Sequence, residues 1–467
     1  MESGRSRREI GGIVRFLTPA LVLAVAGSAF AQPAQSPPPS EEPESTPSEY
    51  SGPSILSRTA GLILGRGGEL ARLRPFVEVG GEYYHGLTPV SLNSSGQVPD
   101  DSAYGAHVGF GVYGYHRWRR SLLGLNYRGS LRHYTRKGYY DGFDQVLGLN
   151  FAHQLSRRVV FSLGQSMILR HYGFALPIGG SQFYDPALSN LVGNELFDNR
   201  TTAYVSTAAL TFQKSARLSF RMGGSGFLVR RHSQALVGVN GYQAMGDVAY
   251  RVSRYQTIGI DYSYQHFDYT SVFGSSDVHG VAFNYSVQIG RPWTFSLRAG
   301  GYRVEMLGLQ RVPLDPVIAA IVGQNAVIST SYRLLYIPNL SASLHRRFRN
   351  AGLTFDYSRG LTPGNGVYLT SSSESYGGSF HYSGIRRLGL GISAGSRTYR
   401  ALAQTLGHYK SYYGNAGASA PLRKGFSLVA SMEVSSYELR NTSFNRLIYR
   451  ASIGLAYSPG EFPFSIW

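Results

Sequence analysis

The chain has no cysteine among its 467 residues, and this absence excludes several kinds of protein. Without thiols it cannot hold a disulfide scaffold, a thiolate zinc site, an iron–sulfur cluster or a cysteine nucleophile. Charged residues are few, at 15%, and after residue 31 there is no run of about 18 apolar residues, as a membrane-spanning helix requires. Because 43% of the residues are hydrophobic and 13% are aromatic, extensive disorder is also excluded.

The N-terminus has the three regions of a secretory signal peptide. Several arginines precede an apolar stretch from Phe16 to Ala26, and Ala29-Phe30-Ala31 provides a cleavage site, so we expect residues 1–31 to be removed on export. Residues 32–54 are rich in Pro, Ser and Glu and predict an extended periplasmic linker. Residues 55–74 predict a short N-terminal segment or a plug, and residues 75–467 form the main domain.

From residue 75 onward, apolar or aromatic residues alternate with small or polar ones. Within 123–134, for example, Leu125 and Tyr127 alternate with Asn126 and Arg128. A period of two predicts strands, and these segments exceed the usual strand of about 5–6 residues and reach the 9–11 or so that a tilted membrane-crossing strand needs. The predicted strands are 75–85, 103–116, 121–134, 143–155, 158–170, 201–213, 217–230, 241–252, 255–267, 278–290, 293–304, 332–345, 351–358, 368–382, 388–398, 409–420, 425–437 and 446–458.

Short and long connections alternate along these eighteen segments, so that both chain ends fall on the side of the short turns. Much of the net charge of +18 lies in those turns, which would face anionic lipid headgroups. A nucleic-acid protein would instead gather its basic residues on one face with aromatic partners, and we expect no nucleic-acid partner. The short turns and their flanks hold no acidic residue and these basic ones: Arg117, Arg119, Arg120, Arg157, Arg158, Lys214, Arg217, Arg251, Arg254, Arg291, Arg346, Arg347, Arg349, Arg386, Arg387, Arg423 and Lys424.

This pattern resembles the outer-membrane β-barrels of Gram-negative bacteria, in particular porin-like barrels of about 16–18 strands. The resemblance implies an all-β fold, a transmembrane antiparallel up-and-down barrel of about 18 strands in the cell outer membrane. It also implies outer-membrane lipids and the barrel-assembly machinery as partners. The family's assembly signal is a last strand that ends in an aromatic residue. Trp467 and the alternation from Leu447 to Tyr457 match it, although Ser458-Pro459-Gly460 and Pro463 separate the final aromatics from that strand.

In such a barrel the apolar faces contact lipid and the other faces line a polar lumen. We expect Leu125, Phe295 and Ile453 to face lipid. Many inward positions are glycine, which favours a wide aqueous passage: Gly109, Gly111, Gly164, Gly259, Gly300, Gly389 and Gly391. The predicted pore-lining basic residues are Arg128, Arg132, Arg170, Arg221, Arg298, Arg333, Arg397 and Arg450. The predicted acidic ones are Glu78, Glu82, Asp144, Asp247, Asp261, Asp356 and Glu433. The two sets nearly balance, which predicts weak selectivity.

No residue pattern points to catalysis. Gly109-Phe110-Gly111 and the glycines of 223–226 are not followed by a helix, as a phosphate-binding loop requires. The histidines (His133, His153, His266, His279 and His381) lack the spacing of a metal site, and pairing Ser379 with His381 supplies no orienting acid. We therefore expect no enzymatic activity, no metal and no cofactor.

The leading hypothesis is a channel for passive diffusion of small hydrophilic solutes. One alternative is a pore for secretion of an exopolysaccharide, similar to the eighteen-stranded alginate-export type. Another is a closed structural or adhesive barrel, plugged by residues 55–72 or by the connections 171–200 and 305–331. A soluble propeller would need shorter strands and a repeat of about 40–50 residues, which the sequence does not contain.

Overall fold

A computed structural model gives the fold. It describes residues 70–87, 101–135, 141–170, 200–232, 236–313, 326–364, 366, 369–385, 388–402, 409–439, 445–459 and 462–465. These residues form β1 (Leu70–Leu87), β2 (Asp101–Arg117), β3 (Ser121–Tyr134), β4 (Gly142–Ser156), β5 (Val159–Arg170), β6 (Thr201–Gln213), β7 (Leu218–Arg231), β8 (Val239–Arg251), β9 (Gln256–Tyr269), β10 (Gly274–Ile289), β11 (Trp293–Pro313), β12 (Ala326–Arg347), β13 (Ala351–Thr362), β14 (Ser371–Ile385), β15 (Leu388–Ala401), β16 (Tyr409–Pro421), β17 (Phe426–Leu439), β18 (Asn445–Tyr457) and β19 (Phe462–Ser465). Among the described residues, no helix is long and apolar enough to cross a membrane.

The strands close into a barrel. Each strand from β1 to β17 pairs antiparallel with the next, and β18 pairs back onto β1 from Val77↔Tyr457 to His85↔Tyr449. Eighteen long strands thus form an antiparallel up-and-down barrel, which confirms the predicted fold class. Closure matters because an open edge would leave a row of backbone N–H and C=O groups unpaired.

The seam of the barrel is extended by the short strand β19. β18 ends at Tyr457, and β19 pairs with the first residues of β1, from Leu70↔Ser465 to Leu73↔Phe462. Between them, the Ser458 hydroxyl donates to the Pro75 carbonyl at 3.0 Å. Phe462 and Phe464 are therefore separate from β18, as expected, but they still belong to the sheet, and Trp467 lies outside the described residues. β1 begins at Leu70 instead of residue 75, and the predicted signal peptide and linker lie outside the described residues.

Strand bounds follow the sequence pattern closely in most places. The predicted segments 121–134 and 201–213 coincide with β3 and β6. β11 and β12 are much longer than predicted, because β11 runs to Pro313 and β12 begins at Ala326. The prediction of a connection over 305–331 is therefore wrong at both ends. The ladder between these two strands continues to Pro313↔Ala326, well beyond the predicted ends.

The two faces of the sheet differ in exposure. Side chains from strands that are not neighbours meet on one side, as Arg132 of β3 meets Glu82 of β1, so that side is the barrel interior. On β18 the inward Arg450 is 5% exposed, whereas the outward Ile453 is 59% exposed. Large apolar side chains are exposed along the outward face, including Val79, Leu131, Ile260, Phe283, Leu334, Phe355, Ile392 and Leu428. The exterior is therefore an apolar surface.

The two ends of the barrel also differ. One end, called here the short-turn end, carries the tight connections between even-numbered strands and the strands that follow them. The turn between β16 and β17 is tight enough to place Lys424 at φ 55° and Gly425 at φ 84°, in the left-handed region. A Cβ at position 425 would overlap the Ser458 carbonyl oxygen, so this turn needs glycine. The opposite end is called the long-loop end.

Candidate functional site

A group of buried charged residues lines one part of the interior. They lie on six strands that are consecutive around the barrel: β17, β18, β1, β2, β3 and β4. We call this group the charged wall. Its members are Glu78, Glu82, His107, Arg128, Arg132, Asp144, Glu433 and Arg450.

His107 of β2 joins the two carboxylates of β1. Its Nε2 lies 3.4 Å from Glu78 Oε1, and its Nδ1 lies 3.0 Å from Glu82 Oε1. The imidazole has room because it lies opposite Gly80, where a Cβ would come within 2.5 Å of the ring. The Nε2 contact meets the geometry of a hydrogen bond, whereas Nδ1 and Glu82 Oε1 lie close together without hydrogen-bond geometry. His107 was absent from the predicted site, although its inward position follows from Gly109 and Gly111 on the same strand face.

Two arginines of β3 complete the centre of the charged wall. Arg128 lies 3.5 Å from Glu78, and its guanidinium carbon is 5.7 Å from the centre of the Phe76 ring. Arg132 lies 3.5 Å from Glu82 and 3.2 Å from Asp144 of β4. These contacts place each guanidinium between strands and close to carboxylates, although Arg132 Nε and Nη2 are buried without a hydrogen-bond partner among the described residues.

At the edge of the charged wall, Arg450 of β18 lies directly opposite Glu433 of β17, and the two side chains are 3.1 Å apart. The Tyr134 hydroxyl donates to Glu82 Oε2 at 3.1 Å. Four carboxylates thus face three guanidinium groups and His107. Arg128, Arg132 and Arg450 are only 4%, 7% and 5% exposed. These residues lie inward and are buried beside carboxylates, so their role in lining a pore stays a prediction.

A second charged group, on β7 to β11, is more open. Arg298 Nε donates to Asp261 Oδ1 at 3.0 Å, and Asn284 donates to the same oxygen at 2.7 Å. Asp247 lies opposite Asp261 on one side and opposite Arg221 on the other. The side chain of Arg298 is 33% exposed, and Arg221 is exposed. The sequence prediction named all four charged residues, and the structure brings them together.

Of the remaining predicted residues, Arg170 interacts electrostatically with Glu433 of the charged wall, and the others lie apart from the two groups. Asp356 is an exposed residue of β13, opposite Gly377 and Ser343. Arg333 and Arg397 are half-buried and engaged in interactions of their own. Arg170 is half-buried at the long-loop end of β5. These charges are spread around the interior, so they do not form one binding site.

Apolar side chains line another part of the interior, in the half of the barrel nearer the long-loop end. Val229, Val278 and Val304 are 0% exposed, and Met306 is 4% exposed. We call this group the apolar wall. It consists of Ala203, Val205, Val229, Val239, Phe267, Val278, Tyr302, Val304, Met306, Ile337 and Leu361 on strands β6 to β13. The sequence analysis expected inward faces to be polar or small, and over this part of the interior that expectation is wrong.

The connection between β13 and β14 folds into the barrel beside the apolar wall. The Thr370 hydroxyl lies 2.5 Å from the Tyr269 hydroxyl of β9 and 2.6 Å from the Ser276 hydroxyl of β10. The Val237 N–H donates to the Gly366 carbonyl at 3.0 Å. We call residues 363–370, as far as they are described, the inward loop. The predicted plug candidates were 55–72, 171–200 and 305–331. Residues 70–72, 305–313 and 326–331 belong to β1, β11 and β12, and 55–69, 171–199 and 314–325 lie outside the described residues.

Glycine does not mark open space everywhere in the interior. A Cβ at Gly391 of β15 would meet nothing within 4 Å, as expected for an open passage. A Cβ at Gly111 would overlap the Phe76 ring, and one at Gly109 would touch Glu78 at 3.4 Å. The interior is therefore open beside Gly391 and filled beside Gly109 and Gly111. Among the described residues, no group of three or more His, Asp or Glu side chains is arranged to hold a metal ion.

The fold and its interior define a closed β-barrel with an apolar exterior and a partly polar interior. No protein-family model and no curated protein matches the sequence. Similar solved structures include OccK5 (OpdH) of Pseudomonas aeruginosa, 14% identical with a TM-score of 0.41, over 85% of this chain and 98% of that one. A BenF-like porin from Pseudomonas fluorescens Pf-5 is 12% identical with a TM-score of 0.42, over 84% and 100%. OccAB4 of Acinetobacter baumannii is 9% identical with a TM-score of 0.41, over 84% and 99%. Similarities of this size do not carry a function to this chain.

Proposed function

We propose that this chain is an outer-membrane channel for passive diffusion of small hydrophilic solutes. The observation that carries the proposal is a closed barrel whose exterior is apolar while exposed charges, Arg221 and Asp356, remain inside it. Barrels of about 16–18 strands are wide enough to hold an aqueous channel.

The exterior supports placement in the outer membrane. Large apolar side chains cover the outward face over the middle of the strands, including Ile260 at 59% and Val281 at 55% exposure. A soluble protein rarely exposes so continuous an apolar surface, whereas a barrel in lipid requires one. The predicted signal peptide fits the same destination, with both chain ends and the short turns in the periplasm.

The interior suggests a path that is narrow on the outer side and wider on the periplasmic side. Near the long-loop end, the apolar wall and the inward loop occupy part of the cross-section. Nearer the short-turn end, Arg221 is exposed and Gly391 faces open space. A solute would therefore meet the exposed charges, while the arginines of the charged wall stay paired with carboxylates.

The test is conductance of the mature protein in planar bilayers, with Arg221→Ser as the selectivity variant. We expect open, weakly selective channels, and a shift of the reversal potential toward cations in Arg221→Ser because a lumen charge acts across a confined path. Arg217→Ser is the matched control, since Arg217 is an exposed arginine of the nearby turn. The charge of Arg217 is exposed to solvent, where salt screens it beyond a Debye length of about 8–10 Å. Arg217→Ser should therefore shift the reversal potential much less.

Absence of conductance would favour the second candidate, a closed structural or adhesive barrel. The apolar wall and the inward loop are the observations that support it, because both fill interior space. An exopolysaccharide as the solute, the assembly machinery as a partner and the lack of enzymatic activity stay predictions.

A further inference from the structure

A ring of exposed basic side chains surrounds the short-turn end of the barrel. Seven of the eight short turns lie within the described residues, and each contributes at least one. We call the exposed set the basic collar. It consists of Arg119, Arg120, Arg157, Arg158, Lys214, Arg217, Arg254, Arg291, Arg347, Arg349, Arg423 and Lys424.

The basic collar has no acidic counterpart in the described structure. The short turns contain no Asp or Glu, and none of the twelve residues forms an ion pair with a described carboxylate. The long-loop end differs, since it exposes Asp268 and Asp277, whose side chains are 59% and 39% exposed. Among the described residues, exposed carboxylates therefore occur at the long-loop end but not in the short turns.

Apolar and aromatic side chains lie directly beside the basic collar. Leu155 and Ile289 are 54% and 56% exposed at the ends of strands that lead into these turns, and Leu422, the first residue after β16, is 52% exposed. The Arg346 guanidinium carbon lies 4.7 Å from the centre of the Trp293 ring and 4.4 Å from that of Phe348. Arginine next to an exposed apolar band suits a boundary where hydrocarbon meets phosphate.

We infer that the basic collar binds the anionic headgroups of phospholipids in the periplasmic leaflet. Its distribution carries the inference: the basic side chains point from turns all around a closed barrel, so the partner must also surround it. An acidic protein would contact one side and leave most of the charge unmatched. A leaflet of anionic phospholipid presents phosphates around the whole circumference. The inference rests on the proposed membrane placement but not on conduction.

The competing occupant is the chain's own N-terminal region. Between the predicted cleavage site and Arg58 it contains four acidic residues and no basic one: Glu41, Glu42, Glu44 and Glu49. Its tether leads to Leu70, at the end of the barrel where the basic collar lies. Four carboxylates on one tether cannot balance twelve cations spread around the barrel, so we favour the lipid and treat this segment as an outcome of the test.

Two tryptophans provide native probes for the test. Trp118 lies in the turn that holds Arg119 and Arg120, and Trp293 follows Arg291. In a Trp467→Phe background, fluorescence quenching by phosphatidylglycerol and by phosphatidylcholine with the same brominated acyl chains gives their relative binding constants. We expect a preference for phosphatidylglycerol of about threefold or more at physiological salt. The ratio of the two binding constants should fall toward one in 1 M salt, because the Debye length there is only about 3 Å.

Paired substitutions distinguish an effect of the basic collar from an effect of the protein's overall positive charge. Arg119→Ser/Arg120→Ser should lower the preference at least twofold, and Arg119→Lys/Arg120→Lys should retain it. Arg230→Ser/Arg400→Ser removes two exposed outward arginines at the long-loop end and should leave it unchanged. Equal binding of the two lipids by the wild type, or an equal loss in both Ser pairs, overturns the inference.

Deletion of residues 32–49 tests the competing occupant. If the wild type shows no preference and the deletion creates one, the acidic segment occupies the basic collar and the lipid inference fails. A clear lipid preference in a protein that conducts nothing would leave this inference standing while the channel proposal fails.

Discussion

The charged wall and the apolar wall lie on the same face of one sheet, yet their chemistry is opposite. In the charged wall, Arg132 is 7% exposed and held by two carboxylates. In the apolar wall, Met306 is 4% exposed among valines and aromatics. Both arrangements bury inward side chains almost completely, one by pairing charges and the other by excluding polar groups. Inward position in a barrel therefore does not by itself mean contact with the aqueous path.

The difference between the two walls predicts different costs of substitution. A buried charge that loses its partner keeps its desolvation penalty, whereas a truncated apolar side chain loses packing and leaves a cavity. Substitutions in the charged wall should therefore cost the most stability.

The largest effect is expected for Arg132→Ala. It leaves Glu82 and Asp144 buried with one cation fewer, which should lower the free energy of unfolding by about 3–5 kcal/mol. Urea unfolding of the barrel in lipid vesicles measures it. Arg298→Ala is the matched control, because Arg298 is also ion-paired but its side chain is 33% exposed. Solvent screening should limit the cost there to about 1 kcal/mol. Equal costs at the two positions would show that burial does not distinguish the charged wall from the second charged group on β7 to β11.

A smaller loss is expected for Met306→Ala in the apolar wall. Truncation of a buried methionine should lower the free energy of unfolding by about 2–3 kcal/mol through lost contacts and a residual cavity. Met222 of β7 provides the control, because it is an outward side chain that is 63% exposed. Met222→Ala should change stability by less than about 1 kcal/mol in the same vesicles. If Met306→Ala is equally mild, the apolar wall contributes little to the stability of the barrel.

The barrel could be predicted from the sequence because its determinants are local. Antiparallel neighbours are joined by short connections, and alternation along each strand separates the two faces, so 121–134 was identified to the residue. β19 was missed because Pro459 and Pro463 interrupt the strand pattern, and its partner lies near the opposite end of the chain, at Leu70–Leu73.

The interior was only partly predictable, because its contacts also join residues that are far apart in the sequence. Alternation places Arg128 and Arg450 inward, but it does not indicate how deeply a side chain is buried or which carboxylate it meets. Those facts depend on strand register, as when Gly80 makes room for His107. The inward loop was missed because its hydrogen bonds join Thr370 to Tyr269 and Ser276, about 100 residues away.

The smallest effect on stability concerns the inward loop, which lies where the apolar wall meets the open part of the interior. Thr370→Val removes the hydroxyl that contacts both Tyr269 and Ser276, at a cost of about 1 kcal/mol. If these contacts hold the loop across the path, single-channel conductance should rise and fluctuate more. Tyr332→Phe is the control, since it removes an outward hydroxyl that donates to Glu305 at 2.7 Å and should leave conductance unchanged. Unchanged conductance in Thr370→Val would mean that the inward loop does not form the narrowest point of the path.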